Sequence, residues 1–205
     1  MSLQTIVDNA TFVTIYRKKI AGQSISRSGR LLTSEVVSAV PYQFTVGMHG
    51  GLQYSTNRAL TESLNFGLGY ITAYLGVLTS GQQLQVTVTS ASASSLVLNT
   101  TAVTGSPSGL MFKKGDYVQP AGGYRYPYQV TADVTYNGTS VTVPLSRNFI
   151  PQDSYTLAGQ LIVTGSAVTW KVKMINKPRY SVVPGDLLQF DNDFEFIEFI
   201  RKEDA

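Results

Sequence analysis

Few residues in this chain are suited to catalysis. Its 205 residues include no Cys and a single His, His49, which excludes disulfides, thiolate zinc sites, iron–sulfur clusters and Cys nucleophiles. His49 lies in a Met-His-Gly-Gly segment whose glycine amides could stabilise an oxyanion, but no Gly-x-Ser-x-Gly motif supplies a nucleophile. The sequence therefore predicts a protein that is not an enzyme and holds neither a cofactor nor a metal.

Basic side chains are the first candidate interaction residues. They form two clusters before residue 31 and a pair before a Gly-Asp turn: Arg17, Lys18, Lys19, Arg27, Arg30, Lys113 and Lys114. Three consecutive basic residues suit contact with phosphate or with an acidic protein surface, and a solvated loop is the plain alternative. Contact with an acidic neighbour is favoured, because every copy of the chain carries an acidic C-terminal segment.

That acidic segment shows in the distribution of charge. Residues 1–185 carry 14 Lys and Arg against 6 Asp and Glu, a formal +8, whereas residues 186–205 carry 2 against 7, a formal −5. A dedicated nucleic-acid binder would instead cluster basic and aromatic residues on one face. The pattern favours head-to-tail contact between copies of the chain, without nucleic-acid specificity.

Three acidic residues near the C-terminus occupy alternate positions: Asp191, Asp193 and Glu195. On an extended strand their carboxylates would lie on one face, with Phe194 and Phe196 buried on the other. A strand with one solvated face, a salt-bridge ladder between subunits and a site for a hard cation are the three interpretations. The spacing of an EF-hand is missing, which weakens the third.

Tyrosines concentrate in one stretch, where Tyr124, Arg125, Tyr126 and Tyr128 follow one another closely. Aromatic side chains on a loop stack on sugars or bases, so this stretch supports a glycan-binding platform as an alternative function. The other interpretation is a set of residues that connects a core to a protein interface.

Alternation of apolar and polar residues, interrupted by Gly, Pro, Asn and Asp, predicts a mainly β protein. Residues 128–145 are predicted to form a hairpin, because Asn137-Gly138 suits a type I′ turn. Residues 55–64 are predicted to form a short helix, with an irregular continuation through 70–75. No apolar stretch is long enough to cross a membrane, so membrane insertion is not expected.

Composition changes near residues 80 and 165. The segment between them is rich in Ser, Thr, Val and Gly and has few charges, whereas the stretch after it is aromatic and charged. This predicts a module at 80–165, inserted into a flanking domain formed by 1–79 and 166–205.

Five segments carry a recognisable pattern: residues 20–30, FKKGDYVQP at 112–120, YRYPYQVTADV at 124–134, and residues 177–186 and 194–200. These segments resemble the structural proteins of tailed-bacteriophage virions, in particular tail and baseplate proteins of marine contractile-tailed phages. The domain layout is also similar to that of distal-tail proteins, which form a ring between the tail tube and the baseplate.

The resemblance implies a fold and a role. It implies a β-sandwich-like flanking domain, a small inserted β-barrel-like module and one or two short helices. It also implies a virion protein of the tail, made in the cytoplasm of a bacterial host and assembled into a ring, a hexamer by analogy. Its partners would be further copies of itself and neighbouring tail tube, hub or baseplate proteins.

Overall fold

The computed structural model describes residues 3–17, 20–25, 31–36, 40–48, 52–62, 68–72, 83–101, 109–122, 126–150 and 156–200. The chain divides into two compact units. Unit 1 comprises Met1–Arg17, Pro41–Ala73 and Thr169–Phe199, and unit 2 comprises Lys18–Val40, Tyr74–Val168 and Ile200–Ala205. Each unit is therefore built from separate stretches of the chain, while the domain boundaries expected from composition stay a prediction.

Strands dominate the described residues, which confirms the prediction of a mainly β protein with two short α-helices. In chain order the elements are α1 (Gln4–Asp8), β1 (Phe12–Arg17), β2 (Ile20–Ile25), β3 (Leu31–Val36), β4 (Tyr42–Gly47), α2 (Tyr54–Glu62), β5 (Leu68–Ile71), β6 (Gln83–Ser92), β7 (Ser95–Asn99), β8 (Leu110–Phe112), β9 (Tyr117–Pro120), β10 (Tyr128–Gln129), β11 (Val134–Thr135), β12 (Ser140–Pro144), β13 (Leu161–Thr164), a 3₁₀ turn (Gly165–Ala167), β14 (Trp170–Asn176), β15 (Tyr180–Val183), β16 (Leu187–Phe190) and β17 (Phe194–Glu198).

Unit 1 is built on a five-stranded antiparallel sheet with the order β1-β4-β17-β14-β5. Side chains alternate between its two faces, and the buried face carries the largest core residues of the unit. Phe44 meets Trp170 edge to face, with ring centroids 5.5 Å apart. Phe194 and Phe196 are buried as the alternation predicted. At the end of β17 the buried carboxylate of Glu198 accepts a 3.0 Å hydrogen bond from the amide of Tyr42, which ties β17 to β4.

Unit 2 contains a six-stranded antiparallel sheet with the order β10-β9-β13-β6-β7-β12 and a two-stranded sheet formed by β8 and β11. Its apolar core is drawn from both sheets and includes Val88, Leu98, Phe112, Val143 and Ile162. The β2–β3 hairpin also belongs to this unit. The described strands form no closed barrel, although the chain directly after β10 meets the chain directly after β12 at the bridge between Val130 and Leu145. The antiparallel sheets fit the expected sandwich-like fold class, without the closure of a full barrel.

The hairpin predicted at 128–145 is only partly present. Its base closes through the bridge between Val130 and Leu145, but β11 then pairs with β8 and β12 pairs with β7. The turn is not type I′, because Gly138 has a positive φ of 63° and Asn137 does not. Tertiary pairing with other strands therefore separates the two arms.

The helix predicted at 55–64 is confirmed as α2, one residue earlier at its start. The irregular continuation expected at 70–75 is wrong for its first residues, because Tyr70 and Ile71 belong to strand β5. In β5 they pair with Lys171 and Trp170 of β14, so the sheet rather than local propensity determines their conformation.

Candidate functional site

One side of the five-stranded sheet in unit 1 carries exposed and half-exposed side chains in register across all five strands. Strand register places Tyr16, Gln43, Ile197, Lys173 and Leu68 in one row across all five strands. The row is polar or charged at Gln43 and Lys173 and apolar at both ends. We call this side of the sheet the outer face.

Large apolar side chains are concentrated at the two edges of the outer face. On β1, Phe12 is 41% exposed and Tyr16 is 42% exposed. On β5, Leu68 is 51% exposed and Tyr70 is 57% exposed. Among the described strands, β1 pairs only with β4 and β5 only with β14, so both are edge strands. Exposed large apolar side chains on edge strands are candidates for contact with another protein.

The sheet itself holds some of these side chains in place. The Phe12 ring lies over Gly47, its register partner on β4, and a Cβ atom at Gly47 would overlap that ring. The Lys171 ammonium lies 5.8 Å from the centroid of the Tyr70 ring and 5.4 Å from that of Phe199. These contacts position apolar rings on the outer face before any partner binds.

The basic residues predicted as interface residues lie in different places. Arg17 ends β1, and Lys113 and Lys114 are exposed in the turn before β9. In that turn Gly115 has a φ of 100°, and the buried carboxylate of Asp116 accepts a 2.8 Å hydrogen bond from the amide of Lys113. Four further candidates lie outside the described residues: Lys18, Lys19, Arg27 and Arg30.

The two tyrosines of the predicted platform that the structure describes, Tyr126 and Tyr128, are buried. Tyr126 is fully buried, so the expectation that it contributes to an exposed interface is wrong. Tyr128 is also buried; its ring stacks on Phe149 at 5.2 Å, and its hydroxyl accepts a 3.0 Å hydrogen bond from the amide of Ile150. Both tyrosines belong to the core of unit 2. Tyr124 and Arg125 lie outside the described residues.

The predicted row of three carboxylates is also not formed. Asp191 lies in a bend and Asp193 precedes β17, so only Glu195 belongs to the strand. The backbone amide of Asp191 donates to the carbonyl of Arg179, which holds the chain in the bend. No group of three metal-ligating side chains occurs among the described residues. His49 lies outside the described residues.

Sequence reasoning missed a polar cluster around α2. The hydroxyls of Tyr54 and Tyr180 donate to the same oxygen of Glu62, at 3.0 and 2.8 Å. The two rings stack with centroids 6.2 Å apart. These hydrogen bonds, first that of Tyr180 and then that of Tyr54, lower the pKa of Glu62 below its usual 4.5, and the positive charges of Arg58 and Lys177 act in the same direction. No sequence signal links residues 118 positions apart, so the cluster was not predictable.

The start of α2 depends on a residue from the β15–β16 turn. The carboxylate of Asp186 accepts hydrogen bonds from the amide of Ser55, at 3.2 Å, and from its hydroxyl. The backbone carbonyl of Asp186 accepts a 2.7 Å bond from the amide of Tyr54. The Ser, Thr and Asn residues near the helix start suggested a local cap, but this cap comes from a distant turn.

None of the helices described here is long and apolar enough to cross a membrane. No protein-family model and no curated protein sequence matches the chain. Inferences about function therefore depend on the surfaces described above and on the resemblance of short segments.

Proposed function

We propose that the protein is a non-enzymatic structural subunit of a bacteriophage virion, a ring or connector protein of the tail or baseplate that assembles through its sheet edges. The observation that carries the assembly part is the exposure of large apolar side chains on both edge strands of one sheet. The virion part depends on the resemblance of residues 112–134 and 177–200 to phage tail and baseplate proteins.

Natural proteins usually protect the edges of their sheets with charged residues, Pro, bulges or covering loops. Strand β5, with the sequence LGYI, has neither a charge nor a Pro. Strand β1 has one charged residue, Arg17, at its last position. The side chain of Gln4 forms hydrogen bonds with the amide and carbonyl of Thr72 directly after β5, so pairing with another strand would involve β5 itself and would add backbone hydrogen bonds there.

The two edges are different, which supports a specific kind of assembly. If β1 of one copy pairs with β5 of the next, the contact is heterologous and repeats from copy to copy. Such contacts close into a ring when the rotation between copies divides a full turn. A hexamer is the expected ring by analogy with distal-tail proteins. The outer face would then contact a neighbouring tail tube, hub or baseplate protein.

Charged substitutions on the two edges test the proposal. Tyr16→Lys acts on β1 and Leu68→Lys acts on β5, and each places an ammonium where the contact would bury an apolar group. Loss of one large apolar side chain from an interface costs about 1.5–3 kcal/mol, which weakens association more than about tenfold. We expect the wild-type protein to form rings in sedimentation-velocity ultracentrifugation and each variant to be largely monomeric.

Mixing the variants separates head-to-tail from symmetric pairing. In a head-to-tail assembly, an equimolar mixture of Tyr16→Lys and Leu68→Lys forms heterodimers. The unaltered β5 of the first variant can pair with the unaltered β1 of the second, whereas the other two edges both carry a Lys. In a symmetric β1–β1 assembly, Leu68→Lys alone would still associate. Leu110→Lys changes an exposed Leu of unit 2 and is the matched control.

A wild-type protein that stays monomeric at every concentration tested would overturn the assembly part. The virion part is tested separately, by mass spectrometry of particles produced by the genome that carries the gene. Absence of the chain from those particles would contradict it.

A further inference from the structure

A cleft in unit 2 opens where the sequence predicts a continuous hairpin. Its volume is about 430 Å³, within the range of roughly 300–1,000 Å³ that is usual for small-molecule sites. Its polar lining consists of Asp133, Thr135, Asn137, Ser140 and Thr142. We call it the β11–β12 cleft, after the strands on either side.

The cleft exists because the hairpin closes only at its base. There the amide of Thr131 donates to the carbonyl of Pro144 at 3.1 Å. If the register of the Val130–Leu145 bridge continued, Asp133 would lie opposite Thr142, and Thr135 would lie opposite Ser140. The two arms instead pair with β8 and β7, and the cleft lies beside the groups that would otherwise have met each other.

Backbone groups add to the polar lining. The amide of Leu145 donates to Ser94, and the carbonyl of Thr139 accepts from Thr100, so residues 139 and 145 direct their backbone towards the β7 side. In an antiparallel strand this direction alternates from residue to residue. The amides and carbonyls of Ser140 and Thr142 therefore point away from β7, towards the cleft.

One wall of the cleft is fixed in place. The amide of Lys114 donates a 2.8 Å hydrogen bond to Oδ1 of Asp133. This bond restrains the carboxylate and leaves its second oxygen available as an acceptor. Val134 and Val141 also border the cleft, but their side chains are buried in the core of unit 2, so the accessible lining is mainly polar. The site is thus largely formed before a ligand binds.

We infer that the β11–β12 cleft binds a neutral saccharide. Each sugar hydroxyl both donates and accepts a hydrogen bond, which matches a lining of side-chain hydroxyls, an Asn amide, a carboxylate and free backbone groups. The carboxylate of Asp133 accepts hydrogen bonds from sugar hydroxyls. This inference does not depend on the proposed assembly, because the cleft and the edge strands β1 and β5 share no residues.

Other ligand classes fit less well. Among the described residues, the lining has no basic side chain to balance an anionic ligand, and the carboxylate of Asp133 repels such a ligand. A single carboxylate is also too few for a hard cation. An extended peptide would find only Ser140 and Thr142 free before the arms join at Pro144, which is a short edge for strand addition.

Amide NMR of the isotope-labelled full chain tests the inference. The probes are the methyl glycosides of glucose, galactose, mannose and N-acetylglucosamine, with glucuronate as a charged comparison. We expect at least one neutral glycoside to shift the amides of Asn137 and Thr142 saturably in the millimolar range, and glucuronate to bind more weakly. This mapping uses the wild-type protein and does not depend on how any variant folds.

Variants then test the named groups. Asp133→Asn keeps an acceptor for the Lys114 amide but removes the charge, and we expect binding to weaken by about tenfold. Thr142→Val keeps the shape of the side chain and removes its hydroxyl, and a severalfold loss is expected. Thr89→Val, at an exposed position of β6 outside the cleft lining, is the matched control and should bind as the wild type does.

Three results would overturn the inference. They are the absence of a saturable shift with every neutral glycoside, shifts confined to other parts of the chain, and binding unchanged in both cleft variants. Tighter binding of glucuronate than of glucoside would contradict the neutral class. Shifts at Thr142 with an extended Thr-Val-Thr-Val peptide and with none of the sugars would favour strand addition instead.

Discussion

Asp186 is predicted to stabilise unit 1 through a cap that only Asp or Asn can provide at this position. Its carboxylate accepts from the amide of Ser55 at the start of α2. Its backbone has a φ of 63°, and it is the one non-glycine residue with a positive φ in the described part of the chain. Substitutions of Asp186 by Ala, Gly and Asn separate the cap from the backbone conformation. Gly adopts the positive φ but provides no cap, whereas Asn adopts the positive φ and also caps the helix.

The magnitudes follow from the two contributions. Loss of a helix cap costs about 0.5–2 kcal/mol. A left-handed conformation costs an ordinary side chain about 1–2 kcal/mol, and Asp and Asn are less affected. Asp186→Ala should therefore lower the free energy of unfolding by about 2 kcal/mol, and Asp186→Gly by about 1 kcal/mol. Asp186→Asn should lose only the charge near the helix N-terminus, about 0.5 kcal/mol.

Trp170 provides the assay. It is the single Trp of the chain and is fully buried in unit 1, so its fluorescence during urea unfolding reports on this unit. With a slope of about 2 kcal/mol/M, a loss of 2 kcal/mol lowers the urea midpoint by roughly 1 M. Asp191→Ala, in the exposed bend before β17, is the matched control and should leave the midpoint nearly unchanged.

Two outcomes would refute this reasoning. Equal losses for Asp186→Ala and Asp186→Gly would mean that the positive φ does not limit the choice of residue. A midpoint for Asp186→Ala within about 0.3 M of the wild type would mean that neither the cap nor the conformation contributes measurably.

Two further predictions use the same fluorescence signal. Hydrogen bonds lower the pKa of Glu62 in the folded state, so this carboxylate stabilises unit 1 above pH 4.5, and the contribution is lost as the pH falls through the lowered pKa. The free energy of unfolding of Glu62→Gln should therefore decline less in acid than that of the wild type. An unchanged decline would contradict the role of the cluster. Phe196→Ala empties a fully buried site and should cost about 3–5 kcal/mol, whereas Ile175→Ala, which is exposed, should stay within about 0.5 kcal/mol. Similar losses for both would contradict the assignment of the sheet faces.

Local patterns predicted the features that depend on neighbours in sequence. Alternation placed Phe194 and Phe196 on a buried face, since successive side chains of a strand point in opposite directions. The turn at 114–115 was also predictable, because Gly115 adopts a conformation that glycine favours. The same alternation failed for Asp191 and Asp193, since the chain bends there and the two-residue period no longer applies.

Candidate sites depended on pairing that no local pattern specifies. The aromatic stretch at 124–128 resembled a surface loop, but Tyr126 and Tyr128 are apolar enough to be taken into the core once the strands around them are assembled. The β11–β12 cleft arises because β8 and β7 compete for the two arms of a hairpin that is locally favourable. Such competition is decided by contacts between residues far apart in sequence.

The sequence by itself excluded cysteine-based chemistry and determined the mainly β class, because a missing residue type and a two-residue period can be seen without the tertiary structure. The tertiary structure alone decided which edges carry exposed apolar groups, where Asp186 caps α2, and how Tyr54 and Tyr180 share one carboxylate. Each of these depends on strand order and register, which bring distant residues within a few ångströms of one another.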